Sequence, residues 1–192
     1  MFRVGLDIDG CINDFSNLIY KYATVFNEGH GINKSFDMSD YLIERYFGWT
    51  ESMNNEFWAK FYKQALMSTF PLQGAVQTIS LLKRNNIEIY IVTARNERYR
   101  ELTVEWLRKH NIGFDKLIMS RQKAEICIDN DIELMVEDES ENCSAIAKYI
   151  PVICMSYKYN ENLEGAKNIK RVTNWPEIYN EIIHCMKEKD VV

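Results

Sequence analysis

The sequence predicts an α/β fold, a three-layer, Rossmann-like parallel-sheet core with an inserted helical cap. Three observations predict it. Short apolar runs alternate with stretches of helical periodicity, the sequence mark of right-handed β-α-β units and of a sheet covered on both faces. Several of those runs end in polar residues, Asp7 and Asp9, Thr93, and Glu137 with Asp138. The alternation breaks once, over about 14–70, where aromatic helical sequence follows directly on the first strand. Two segments, 1–13 and 71–192, are therefore expected to form the core, and 14–70 the cap.

In the first strand, Val4, Leu6 and Ile8 are the buried residues. Side chains alternate along a strand, so Asp7 and Asp9 leave its end on the same side. Two carboxylates crowded in a partly dry place repel each other and are costly unless a cation binds them. Gly10 frees the backbone to turn sharply just there. Alone, Asp-x-Asp-Gly reads equally as a polar strand end running into a turn. A calcium loop of the EF-hand type does not fit: its fifth, sixth and twelfth positions, counted from Asp7, hold Cys11, Ile12 and Leu18.

Asn13 and Asp14 offer a cap for a helix in which Phe15, Leu18, Ile19, Tyr22, Val25 and Phe26 recur at helical spacing; Gly29 and Gly31 end it. The stretches SFDMSDYLIERYFGW and TESMNNEFWAKFYKQALM read as two further short helices. Their many rings suit the core of a small helical subdomain, and some offer flat faces to line a pocket. After Pro71 and Gly74 the pattern changes. A helix is expected over 75–84, a β-branched strand over 87–92, a helix from about 97 to 109 and a short strand over 116–119. Helix is expected over 121–128, strand over 132–136, and helix through Ala145 and Ile146 to Tyr149. The strand VICMS follows, then a last strand near Val172 and a terminal helix over 177–187.

Composition narrows the function. The 192 residues are 46% hydrophobic and 27% charged, enough to bury a core. A formal net charge of −5 argues against a general binder of duplex nucleic acid, which needs a basic face, while leaving room for a single nucleotide. No apolar stretch is long enough to span a membrane, and MFRVGLDID has no apolar export signal, so a cytoplasmic location is expected. The five cysteines are scattered without a C-x-x-C pair and read as reduced thiols. The three histidines have no ligand spacing.

The polar residues at the strand ends share one edge, which is where ligands bind in open parallel sheets. Three or four carboxylates converging there make a site for a hard divalent cation such as Mg²⁺. Thr93, and Lys123 at the start of a helix, add a hydroxyl and a positive charge. That set suits a phosphoryl group, whose oxygens need neutralisation and hydrogen-bond donors in the transition state. Of two such aspartates, an ionised one can attack phosphorus, and one protonated part of the time can give a proton to the leaving oxygen.

DIDG after an apolar run, IVTAR after a second, a lysine opening a later helix and VED after another run match, in order and spacing, the four motifs of the haloacid-dehalogenase-like phosphohydrolases. The chain resembles that superfamily from Asp7 to Asp138. The resemblance implies Asp7 as nucleophile, forming an aspartyl-phosphate, and Asp9 as general acid and then base. It implies Mg²⁺ held by Asp7, the Asp9 main-chain carbonyl and Asp138. It also implies Thr93 on a phosphoryl oxygen and Lys123 balancing charge, with Lys116 the runner-up for that role. DIDGCINDF, the aromatic cap and the PLQGA turn resemble more closely the 5'(3')-deoxyribonucleotidases and their bacterial nucleotidase relatives. By that likeness Phe15 stacks on the substrate base; the other reading makes it the first apolar residue of the cap helix. Ala94 and Arg95 are candidate substrate contacts, with the cap or Glu97 as other partners for Arg95. Two departures stand out: Glu137 in place of a second aspartate, and Cys11 in place of threonine or valine.

The expected function is a Mg²⁺-dependent phosphomonoesterase, a 5'-nucleotidase on (deoxy)nucleoside monophosphates, with a homodimer among the allowed assemblies. The alternatives are a phosphatase of another small metabolite such as a sugar phosphate, or a phosphate- or nucleotide-binding protein that has lost catalysis.

Overall fold

The computed structural model describes residues 1–190. Six parallel strands form one sheet: β1 (Arg3–Leu6), β2 (Glu88–Thr93), β3 (Lys116–Met119), β4 (Leu134–Glu137), β5 (Val152–Met155) and β6 (Ile169–Val172). Their order is β3-β2-β1-β4-β5-β6, so the chain runs one way from β1 and then returns to its other side at β4. A crevice opens at that reversal, beyond the strands' carboxyl ends. Leu6 pairs with Ile91 on one side and Val136 on the other. One residue further on, Asp7 and Glu137 therefore emerge side by side.

The strands are near-continuously apolar because helices cover both faces. On one face, α4 (Ala75–Arg84), α5 (Arg100–Lys109) and α8 (Trp175–Asp190) contribute Ile79, Leu82, Trp106, Trp175 and Ile178 to a core with Leu6 and Ile91. On the other, α6 (Lys123–Asp129) and α7 (Ser140–Ile146) pack Cys127, Cys143 and Ile146 on Met135 and Val152. These are the three layers read from the sequence.

Between β1 and α4 lie α1 (Phe15–Gly29), α2 (Ile43–Phe47) and α3 (Glu51–Ser68), with a core of their own. Phe26 meets Trp49 and Phe57 edge-on at 5.0 and 5.5 Å, and the Trp49 indole N–H donates to Asn27 at 2.7 Å. Edge-on ring pairs add to plain area burial, so this aromatic content holds the three helices together.

Four elements differ from the sequence reading. β1 stops at Leu6, because the Ile8 carbonyl accepts from the amides of Cys11, Ile12 and Asn13 and winds the chain into a tight turn. Only Ile43–Phe47 of the first aromatic stretch is helical. Asp37 and Asp40 accept from the amides two residues ahead, Ser39 and Leu42, and such local bonds compete with helix. The second stretch is one 18-residue helix rather than a short one, with the Thr50 side chain accepting from the Met53 amide. The helix expected from 97 opens as a 3₁₀ turn, Glu97–Tyr99, before α5. A further 3₁₀ segment, Lys158–Leu163, follows β5; it lacks apolar periodicity and left no signal in the sequence.

Candidate active site

The carboxyl edge of the sheet gathers the polar residues. Gly10 sits at φ +86°, and a Cβ there would lie 2.2 Å from Asp138 Oδ2. Only glycine lets the loop after β1 press this closely on the end of β4. Asp7 is 5% exposed, Asp138 1% and Glu137 fully buried.

Lys123, the first residue of α6, reaches into this group. Its ammonium lies 2.8 Å from Glu137 Oε2, with a hydrogen bond, and 2.9 Å from Asp7 Oδ1. The second approach is a close ion pair. Glu137, unassigned from sequence, is thus the far arm of a carboxylate–ammonium–carboxylate bridge, and its other oxygen accepts from Asn142 at 3.0 Å.

Asp7, Glu137 and Asp138 set three buried carboxyl groups around one buried ammonium, more than it can balance if all ionise. Burial, then the neighbouring Glu137 and Asp9, push the Asp7 carboxyl up to about 7 against the pull of Lys123. Burial, with Glu137 and Asp7, holds Asp138 well above the carboxylate range. One oxygen each of Asp7 and Asp138 lies within 4.8 Å of the other and of Cys11 Sγ. Burial keeps that thiol protonated, and it approaches Asp138 Oδ1 at 3.8 Å. Carboxyl groups outnumbering the ammonium, with oxygens of Asp7 and Asp138 converging, fit a hard divalent cation; a protonated thiol is no ligand for one.

Asp9 is held apart from this group. Arg95 clamps both its oxygens, Nη2 to Oδ1 at 2.7 Å and Nε to Oδ2 at 2.8 Å, while Asn13 donates to Oδ1 at 3.0 Å. The Arg95 side chain is 1% exposed. Its bidentate partner is Asp9 rather than Glu97, which pairs with Arg100. Thr93 ends β2, and its hydroxyl accepts from the Arg95 amide at 3.3 Å. Ala94 between them is exposed at the rim. Lys116 lies outside the group, exposed and bonded to Asn130 at 2.6 Å.

A cleft of about 620 Å³ opens over this edge. Its floor includes Asp7, Asp9, Thr93 and Lys123; its far wall is the helical unit, with Phe15, Tyr41, Trp58 and Tyr62. That volume is in the range of small-molecule sites. Phe15 is half-buried and meets Tyr62 edge-on at 6.4 Å. Most of the other rings of the helical unit, including Trp49, Phe57 and Phe61, are buried in its core instead. Tyr159, from the 3₁₀ segment after β5, also lines the cleft and donates from its hydroxyl to Asp138 Oδ2. Sequence reasoning missed it, although a polar ring just past a strand's carboxyl end obeys the rule that found Thr93.

The family described as "5' nucleotidase, deoxy (Pyrimidine), cytosolic type C protein" matches residues 1–189. "Putative nucleotidase YqfW" of Bacillus subtilis is 36% identical over 188 residues, covering 92% of this chain and 91% of its own. "Nucleotidase CA_C3379" of Clostridium acetobutylicum is 27% identical over 193 residues, covering 99% and 98%. Among solved structures, a haloacid dehalogenase-like hydrolase, SP0104 from Streptococcus pneumoniae, superposes with a TM-score of 0.73 at 13% identity, covering 94% of this chain and 98% of the other. That likeness is one of fold.

Proposed function

The chain belongs to the cytosolic type C family of deoxy (pyrimidine) 5' nucleotidases, and on that premise we propose that it hydrolyses nucleoside 5'-monophosphates, deoxy ones among them, through an aspartyl-phosphate on Asp7 with Mg²⁺ as cofactor. The chain is a phosphoric monoester hydrolase of the haloacid-dehalogenase-like superfamily, whose members generally use a divalent metal and act on small phosphoesters. The observation that carries the finer reading is the buried Asp7–Lys123–Glu137 bridge beside Asp138, opening into a cleft with an aromatic wall.

Asp7, the Asp9 main-chain carbonyl and Asp138 would hold the Mg²⁺. When bound, the ion supplies neutralisation for the phosphoryl oxygens and for the crowded carboxyl groups. A carboxylate oxygen of Asp7 attacks phosphorus, the phosphorus–ester oxygen bond breaks, and the Asp9 carboxyl protonates the leaving nucleoside oxygen. Asp9, now a carboxylate, takes a proton from water as that water attacks the aspartyl-phosphate, releasing phosphate and restoring Asp7. Arg95 holds Asp9 as a carboxylate through both oxygens, so Asp9 turns one oxygen out of that clamp to carry the proton and returns to it after turnover. The Thr93 hydroxyl donates to a phosphoryl oxygen, and Lys123 keeps Asp7 ionised and aligned. The helices of 14–70 act as the cap, which excludes water when closed and offers Phe15 to the base.

The test is phosphate release from a panel of 5'- and 3'-mononucleotides, sugar phosphates and a chromogenic phosphoester, with Mg²⁺ and with chelator. Mg²⁺-dependent turnover is expected to be highest on 5'-nucleotides, and Asp7→Asn is expected to lower it by at least about a thousandfold with the circular dichroism unchanged. Preference for sugar phosphates would discard the substrate, and activity surviving Asp7→Asn would discard the nucleophile. Tight nucleotide binding without phosphate release would point to a protein that has lost catalysis.

A further inference from the structure

We propose that Tyr159 is a positioning residue for Asp138, and that the segment Tyr157–Lys158–Tyr159 ties closure of the helical unit to cation binding at that carboxylate. The proposal rests on the reading of Asp138 as a cation ligand and goes beyond it.

Three consecutive residues make contacts in three directions. The Tyr157 hydroxyl donates at 2.8 Å to the carbonyl of Gly10, in the loop that carries Asp7 and Asp9. The Lys158 ammonium meets Asp37 Oδ2 at 2.7 Å, across the gap to the loop between α1 and α2. The Tyr159 hydroxyl donates to Asp138 Oδ2. The Tyr159 ring stacks on Tyr157 with centroids 5.1 Å apart and planes 13° from parallel, and meets Tyr41 of the helical unit edge-on at 5.4 Å. Asn160 anchors the segment below, donating to the main-chain oxygens of Asp138 at 2.7 Å and Met155 at 2.8 Å.

A buried carboxylate held at one oxygen by a fixed donor keeps one rotamer. Here Tyr159 takes Oδ2, while Oδ1 stays on the side of Cys11. Partners that orient a metal ligand in this way change metal affinity by about 10–100-fold when removed. The helical unit grips the segment at Lys158 and at the Tyr159 ring. Seating that unit therefore seats Tyr159, and through it Asp138. By linkage, cation bound at Asp138 stabilises the closed unit to the same extent.

The test measures Mg²⁺ affinity calorimetrically on the whole protein without substrate. Tyr159→Phe, which keeps both ring contacts, is expected to weaken Mg²⁺ binding about tenfold. Lys158→Asp sets two carboxylates against each other at the grip. It also adds negative charge near the site, which by itself would tighten Mg²⁺. Weakened binding is the expected result, with the charge swap Asp37→Lys/Lys158→Asp returning to within about twofold of the wild type. Wild-type affinity in Tyr159→Phe would overturn the positioning role. Unchanged or tighter binding in Lys158→Asp, or a swap that stays weak, would overturn the link to the helical unit. Absence of Mg²⁺ binding by the wild-type protein would sink the cation reading itself, a different failure visible before any variant is made.

Discussion

At the scale of single residues, Asp7 carries an electrostatic cost of burial. Its carboxyl is pushed from 3.8 up to about 7, first by burial and then by Glu137 and Asp9. The folded protein therefore holds this proton more tightly than the unfolded chain. The stability linked to Asp7 is fully present below pH 3.8 and is lost as pH rises through about 7. With chelator present, Asp7→Asn is expected to melt higher than the wild type at pH 8, by on the order of 1 kcal/mol or more, and to show little difference at pH 4. A lower melting temperature for the variant at pH 8 would mean that the Lys123 pair outweighs the burial cost. Glu137 and Arg95 make the complementary point. Glu137 holds Lys123, which in turn meets Asp7, and Arg95 clamps Asp9 directly. Such a role depends on which neighbour the fold supplies.

Among the elements, the helical unit forms the far wall of the cleft. Its buried rings satisfy one another, which frees Phe15, Trp58 and Tyr62 to form a wall. Stacking of a base on an aromatic ring contributes about 1–3 kcal/mol. Phe15→Ala is therefore expected to lower kcat/KM for the preferred nucleotide about tenfold, while a small chromogenic ester changes less than about twofold. An equal loss on both substrates would make Phe15 a packing residue of α1. The helix itself was legible from its apolar spacing, but its cap was not. Asp14 holds the cap position without capping, and the Asn13 side chain accepts from the Phe15 amide instead. Adjacent residues of equal capping propensity are separated only by where the preceding turn aims them. The 37–42 loop was misread for a similar reason: short aspartate bonds to the backbone compete with helix, and sequence periodicity does not weigh them.

For the whole molecule, the crowded carboxyl groups would couple a bound cation to stability. A cation that binds only the folded state raises stability by about 2.7 kcal/mol at a hundredfold excess over its Kd. In a domain of this size that corresponds to roughly 5–10 °C in Tm. Addition of Mg²⁺ to chelator-treated protein is expected to give a rise of this order at pH 8. At pH 5, where protons hold Asp7 and Asp138, the rise should be much smaller; equal rises at both pH values would place the ion elsewhere. Among the described residues no helix is long and apolar enough to cross a membrane.

The sequence by itself determined the layered fold and the set of polar residues on one sheet edge. A two-residue strand period and a 3.6-residue helix period are local properties, and parallel alternation forces every strand end carrying a polar residue to the same edge. Asp7, Asp9, Thr93, Lys123 and Asp138 were all found that way. Tertiary structure alone decided the pairings: Glu137 on Lys123, Arg95 on Asp9, Tyr159 on Asp138, Lys158 on Asp37. Each of these four joins residues 14–121 positions apart. A partner at such separation is set by strand register and helix packing, which no local spacing in the chain encodes.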